Sequence, residues 1–447
     1  MTEIALAVWF AAPGARTVGA MNTTCPTRLG ALSDLRVIDL TRVYAGPACT
    51  QMLADHGADV IKIEPPQGDE TRDWGAAGVR GLSSYFWGLN RNKRALALDL
   101  SRPEGREVVL RLLQDADVLI DNFKLGTLER WGLGYEQHLQ PRFPRLVHLT
   151  ISGFGTSGPL AGYPGYDAVA QAFAGVMSVN GEPGGEPLKL PMPVVDYATG
   201  LHASSALLMA LHERQRSGCG QHIDLSLFDV ALTITHPLGT TWMFTGEVPA
   251  PTGNVYAAIA PYGLFSCRDR KVFTGAGNNG AFRKLCQVLG LANLPADPRF
   301  ANNQQRVAHR AALNAALDAA TAQWGGEELA LTLMRAGVAA GVVQNLHEAF
   351  HHPQTATNGM WHELEGGQVV ANPIKLGRTP GHLRSAAPMF GQDTDSVLAE
   401  AGYSPTQIAE LEQAGALARQ RQPTTGTPTQ RTEHCPQPPE NLKETPA

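Results

Sequence analysis

Two acidic motifs carry the side chains best suited to covalent chemistry. Gly165-Tyr166-Asp167 lies in a loop rich in glycine and proline, and Val195-Asp196-Tyr197-Ala198-Thr199-Gly200 precedes a long helical stretch. A carboxylate at a helix start is favoured by the helix dipole and by backbone N–H groups that have no intrahelical partner. The same position suits a plain N-cap, and local sequence leaves both readings of Asp196 open. Asp39-Leu-Thr-Arg-Val-Tyr-Ala-Gly-Pro47 runs from a strand end into a helix start. Open α/β sheets bind ligands at such places. Gly46 permits close backbone approach and Pro47 presets the first helical turn, as both would in an ordinary βα turn. Arg72, in the loop that opens Glu64-Pro-Pro-Gln-Gly-Asp69, and the Asn90-Arg-Asn-Lys-Arg94 loop supply the charge that a phosphorylated nucleotide needs. A solvated charged face would carry the same residues. Asn122, Phe123 and Arg130 follow another strand; Phe123 can stack on a base and Arg130 can meet a phosphate, although a buried ring is the plainer use of a Phe.

Several familiar patterns occur without the context that would give them meaning. Gly153-Phe-Gly-Thr-Ser-Gly158 follows a strand, but Pro159, Gly162, Pro164 and Gly165 prevent a helix from starting there. Gly275-Ala-Gly-Asn-Asn-Gly280 lies between strand-like and helix-like stretches, yet no second strand ending in an acidic residue follows it. His347-Glu-Ala-Phe-His351 matches a zinc pattern, but Pro353 ends the turn and no third ligand presents itself, so no metal is expected. Neither a GxSxG elbow nor a GxxxxGK[ST] loop is present.

The elements that position these residues alternate. Residues 35–40, 59–63, 94–100, 118–120 and 146–151 read as strands; 47–56, 103–116 and 197–216 read as helices. This order implies βαβ units and a mostly parallel sheet. The small residues Gly200, Ala203, Ser204 and Ser205 predict close packing of the last helix. Four segments are expected: an N-terminal extension (1–30), a large α/β domain (31–226 and 365–419), a smaller α+β domain with its linker (227–364), and a Pro/Thr/Gln-rich disordered tail (420–447).

The chain has 447 residues, enough for two cores, with 43% hydrophobic and 17% charged residues. Its net charge of -5 argues against a nucleic-acid surface. Six scattered cysteines without CxxC spacing fit reduced thiols, and no apolar run reads as a membrane span. Residues 1–13 lack the basic region of an export signal, Met21 is an alternative start, and a cytoplasmic location is expected.

Taken together, the motifs resemble the class III CoA-transferase family, which includes formyl-CoA, carnitine and succinyl-CoA transferases and the α-methylacyl-CoA racemases. The resemblance runs over roughly residues 33–418: AGP at 45–47, GADVIKIEPP at 57–66, NKRALALDL at 92–100, ADVLIDNF at 116–123, SGFGTSGP at 152–159, GYD at 165–167, VVDYATG at 194–200, GCGQHIDLSLFD at 218–229 and APMFGQDTDSVLAEAGYS at 387–404. It implies a Rossmann-like large domain, a smaller domain, and an interlocked, ring-like homodimer in which the Gly275–Gly280 loop lies near the partner's active site. It implies that Asp196 is the catalytic nucleophile. CoA contacts are implied at Val43, Tyr44, Leu98, Asn122, Phe123, Arg130, Tyr163 and Tyr166, with Arg72 added from its charge. CoA and acyl-CoA are then substrates, with no permanently bound cofactor.

The implied reaction moves CoA from an acyl-CoA donor to a carboxylic acid through an aspartyl mixed anhydride and an aspartyl-CoA thioester. The racemases of this resemblance place a histidine at position 166, and tyrosine, which titrates near 10, is a poor substitute at neutral pH. Transfer is favoured over racemisation. Tyr44 and the GAGNNG loop depart from the formyl-CoA transferases, so oxalate/formate exchange is not expected, and Pro65 stands where some members of the family hold a CoA-contacting arginine. A non-enzymatic CoA-binding protein and a nicotinamide dehydrogenase are the readings from other classes.

Overall fold

The computed structural model describes residues 30–422. The N-terminal extension and most of the expected tail lie outside the described residues, as do Cys25 and Cys435.

Six strands form one parallel sheet: β1 (Arg36–Asp39), β2 (Asp59–Glu64), β3 (Lys93–Ala97), β4 (Val118–Asp121), β5 (Val147–Ser152) and β6 (His222–Ser226), in the order β3-β2-β1-β4-β5-β6. Both faces are covered, and side chains alternate between them along each strand. Val37, Val60, Val118 and Val147 pack on one side with Cys49, Leu53, Ala203 and Leu207. Ile38, Ile61, Leu96 and Leu119 pack on the other with Val108, Val109 and Leu112. The chain reverses its direction of winding between β1 and β4. The crevice above those strand ends is the natural ligand site of such a sheet.

The Ala45–Asp55 helix follows β1 and packs on the Val194–Ser217 helix. Gly200 makes that contact possible: a Cβ there would lie 3.0 Å from the Ala45 carbonyl oxygen. The longer helix begins at Val194, earlier than its sequence pattern suggested. Its 24 residues pass as a membrane span by length and composition, but half of the apolar window is buried inside the fold.

A separate three-stranded antiparallel sheet contains β7 (Tyr262–Ser266), β8 (Lys271–Gly275) and β9 (Ala339–Val342). Phe265, Phe282, Phe300, Leu313 and Leu329 form its own core. The C-terminal segment then returns to the edge of β3: Asp99 N–H donates to the Ala416 carbonyl, and Leu98 bridges to Leu417. Residues 420–422 do not begin a loose tail. Gln422 N–H donates to the Pro66 carbonyl and Arg421 forks onto Asp73.

Under the turn that joins β1 to its helix lies a buried ionic network. Asp39 accepts from Thr41, Thr50 and Lys93, and Lys62 donates to Asp69 Oδ2 (2.9 Å) and to the Thr41 carbonyl (2.8 Å). Burial raises the proton affinity of Asp39, but Lys93, Lys62 and the two hydroxyls outweigh it and hold the carboxyl below its ordinary range. Burial also brings Lys93 down to about 8 against the pull of Asp39. Removing one member leaves an uncompensated charge in a dry interior. Lys62→Met is therefore expected to destabilise the fold by about 3–5 kcal/mol, read as a lower urea midpoint; an unchanged midpoint would show that the network contributes nothing.

Candidate active site

A cavity of about 190 Å³ opens above the ends of β1, β4 and β5. Asp196 lies in its wall and is only 8% exposed. It does not precede the helix. Pro193 is the N-cap, and Asp196 sits in the first helical turn with no side-chain hydrogen bond to its own backbone. The capping is supplied from a distance. Asp167 Oδ2 accepts from Val195 N–H (2.7 Å) and Asp196 N–H (3.1 Å), while its Oδ1 accepts from Gln171 Nε2. The plain N-cap reading of Asp196 therefore fails, because Asp167 already satisfies those donors.

Burial and the neighbouring Asp167 charge push the Asp196 carboxyl up to about 7 from an ordinary 3.8. Both effects disfavour the anion, so the carboxylate is unusually basic for an aspartate. Basicity near the working pH makes a better nucleophile while leaving a useful ionised fraction. The nearby phenols do the reverse of acid–base work. Burial raises Tyr44, with Tyr197, Asp196 and Asp167 adding to it. Burial, followed by Asp196, carries Tyr85 to about 12. Both remain neutral at physiological pH. Their rings meet edge to face, with centroids 5.9 Å apart, and Trp74 backs Tyr85 at 5.5 Å.

The Thr41–Pro47 turn forms another wall. Val43 has a φ of 72°, a left-handed conformation that a β-branched residue adopts only under constraint. The constraints are visible on both sides. Asn122 Oδ1 accepts from Arg42 N–H (3.0 Å) and its Nδ2 donates to the Arg42 carbonyl (2.8 Å). Asp69 Oδ1 accepts from Val43 N–H at 3.4 Å. Gly46 is needed for this shape, since a Cβ there would collide with Thr41 at 2.4 Å. Beyond the turn, the N–H groups of Ala45 and Gly46 begin a helix whose N-cap Tyr44 makes no side-chain cap.

Most of the residues implied from sequence converge here. Val43, Tyr44, Asn122, Phe123, Tyr163 and Tyr166 line the same cavity as Asp196. Tyr163 and Tyr166 stand exposed on the rim, on a loop whose Gly165 touches Gly153 so closely that a Cβ on either would clash. Phe123 packs edge-on against Trp131 with centroids 5.3 Å apart. Leu98 lies in an adjoining depression of about 320 Å³ that shares Phe123 with the Asp196 cavity and is also lined by Trp131. Arg130 is exposed and donates to Thr127 Oγ1 at 3.0 Å.

Arg72 is a correction. It is buried, forks onto Glu64 at 2.6 and 2.8 Å, and stacks on Phe86 at 3.7 Å. Its charge is spent inside the fold and it does not line the cavity. Two residues escaped the sequence reading: Asp167, read there only as part of a motif, and Arg42, which lines the cavity from a motif read for its backbone. The other sequence patterns stay apart from the site. Asn278 caps the helix that follows β8, in an antiparallel sheet unlike a dinucleotide fold. His347 and His351 lie side by side with their rings tilted by 40° on a short helix, and no metal-binding cluster exists among the described residues.

Comparison with known proteins decides the family. The model for CoA-transferase family III matches residues 32–394. The chain belongs to CoA-transferase family III. It is similar to the succinate–glutarate CoA-transferase of Agrobacterium fabrum (39% identical over 390 residues, covering 85% of this chain and 97% of that one). It is also similar to the acetyl-CoA:oxalate CoA-transferase of Acetobacter aceti (38% identical over 376 residues, 83% and 96%). A solved CaiB/BaiF family protein from Brucella suis superposes with a TM-score of 0.77 at 40% identity, covering 84% of this chain and all of that one. The chain is thus an acyl-CoA:carboxylate CoA-transferase.

The electrostatics of Asp196 carry a stability consequence with a definite sign. Its folded proton affinity is raised, so its contribution is most favourable below the ordinary 3.8 and is lost as pH rises through about 7. Asp196→Asn, neutral throughout, should melt at a higher temperature than wild type above pH ~8, with the gap closing toward pH ~4. A gap independent of pH in a thermal-shift series would contradict the assigned environment.

Proposed function

We propose that Asp196 is the nucleophile and that CoA passes through it. The Asp196 carboxylate attacks the thioester carbonyl of the donor, the C–S bond breaks, and CoA thiolate leaves an acyl-aspartyl anhydride. The thiolate attacks the aspartyl carbonyl, releases the donor acid and forms an aspartyl-CoA thioester. The acceptor carboxylate attacks that thioester and expels the thiolate. The thiolate then takes the acceptor's acyl group from the second anhydride and restores Asp196. A carboxylate suits this cycle because its acyl adduct remains as reactive as a thioester, whereas a serine ester would not.

The observation that carries the reading is the basic, nearly buried Asp196 in the wall of a cavity, beside a helix start that has no side-chain cap among the described residues. Ala45 lines the cavity at the start of its helix, and its N–H is the donor we assign to a developing oxyanion. Similarity to transferases of succinate, glutarate and oxalate favours dicarboxylic acids as acyl partners.

The proposed architecture is a large Rossmann-like domain (31–226 and 365–419), a smaller domain (227–364) and a homodimer of interlocked chains. Exposed apolar side chains support the dimer: Leu201, Leu208 and Met209 on one helix and Trp242, Met243 and Phe244 on another are exposed, and the second helix, Leu238–Thr245, buries none of its residues. Cys49, Cys219, Cys267 and Cys286 are free thiols, in keeping with a cytoplasmic enzyme.

Incubation with acyl-CoA followed by borohydride should reduce the thioester carbonyl of Asp196 and leave a modified peptide spanning that residue, read by mass spectrometry. Asp196→Ala should lose turnover by at least ~10³-fold while retaining CoA binding. A modification elsewhere, or near-normal turnover of the variant, would defeat the mechanism. Racemisation requires two opposed acid–base groups, and the Tyr44 and Tyr85 phenols are pushed the wrong way for that role. An assay on a 2-methylacyl-CoA should give no epimer.

A further inference from the structure

The buried arginines around the sheet are neutralised. Arg72 pairs with Glu64, Arg91 with Asp55, and Arg214 with Asp117. Arg42 breaks this pattern. It lines the Asp196 cavity, makes no ion pair or side-chain hydrogen bond among the described residues, and its Nε is shielded from solvent without a partner. Lys124, in the loop after β4, lines the same cavity and is likewise unpaired. The carboxylate of Glu70 borders the cavity too, without an ion pair to either cation. Two cations left unneutralised beside an open cleft are an anion site waiting for its charge.

The position within the cleft indicates which anion. Burial and negative charge govern the nucleophile's end: burial and then Asp167 raise Asp196, and burial, with Asp196 and Asp167 adding to it, raises Tyr44 and Tyr85. Arg42 is tied by its backbone to Asn122, two residues before Lys124, whereas the start of the Asp196 helix is held by Asp167. A short dicarboxylic acyl group on Asp196 would keep its distal carboxylate near the nucleophile. The pantetheine arm of CoA instead carries a diphosphate far from the thiol.

We propose that Arg42, assisted by Lys124, grips the diphosphate of CoA and so fixes the cofactor's arm in the Asp196 cavity. This rests on the proposed placement of CoA there. Arg42 is held for the task by its backbone: Asn122 brackets its N–H and carbonyl, and Val43 beside it is locked in the left-handed region. Its side chain makes no hydrogen bond or ion pair among the described residues, so Arg42→Gln breaks no polar contact seen in the fold.

The test is kinetic, with truncated donors. Wild type, Arg42→Gln and Arg42→Lys are assayed with thioesters of CoA, 3′-dephospho-CoA and pantetheine, using the acyl group on which wild type is most active. Arg42→Gln should lower kcat/KM about ten- to hundredfold with CoA and equally with 3′-dephospho-CoA, chiefly through KM. It should leave the pantetheine thioester unaffected, and Arg42→Lys should recover part of the loss. Lys124→Gln should show the same pattern, more weakly. An equal loss with the pantetheine thioester would place Arg42 at the acyl group and overturn the proposal. So would a loss confined to intact CoA, which would mean the 3′-phosphate, or no loss at all. Separately, a wild type that uses CoA and pantetheine thioesters equally well would remove the nucleotide from the cavity, and with it the placement on which this inference rests.

Discussion

One carboxylate holding the start of one helix is the constraint from which the site follows. Asp167 accepts the N–H groups of Val195 and Asp196 and so fixes the turn that presents the Asp196 carboxylate to the cavity. The same contact places a negative charge beside a second carboxylate that is already poorly solvated. Folding is therefore opposed locally where the chemistry needs a basic oxygen. Such conflicts between stability and reactivity are expected at active sites, where the rest of the fold must offset them.

The offset comes from the switch point of the sheet. The turn after β1 is strapped from below by Lys62 and Asp39, from the side by Asn122, and from the neighbouring loop by Asp69. These bonds keep Val43 in a conformation that costs of order 1–3 kcal/mol for such a residue. Two cations in this buried network, Lys62 and Lys93, serve the backbone, whereas Arg42 above it does not. The polar interior thus sorts its charges: those beneath the turn are spent on structure, and the one facing the cavity remains available for a ligand.

Much of this architecture could be read from the sequence. The βαβ alternation, the turn at Ala45–Pro47 and the close packing at Gly200 all have local signals: period, proline placement and small residues. Asp196 had only an acid near a helix start, which left the cap reading open until the resemblance singled it out. What escaped depends on partners distant in the chain. Asp167 gains its role from N–H groups on another helix, and no local pattern announces that pairing. Arg72 in a polar loop looks the same whether it waits for a phosphate or lies buried against Glu64. Arg42 sits in a motif whose glycine and proline draw attention to the backbone. The start of the long helix was placed too late because Pro193 and two valines conceal the first turn.

The central claim is that the Asp196 carboxylate itself exchanges oxygen with the acids it serves. Each cycle described above carries one oxygen from the acceptor acid into Asp196 and one from Asp196 into the released donor acid. Turnover with an acceptor whose carboxylate carries the heavy oxygen isotope, followed by peptide mass spectrometry, measures this directly. The account predicts label in the peptide containing Asp196, localised to that side chain, and label in the released acid. Sustained turnover with no label in Asp196, or with label on another residue, would contradict it.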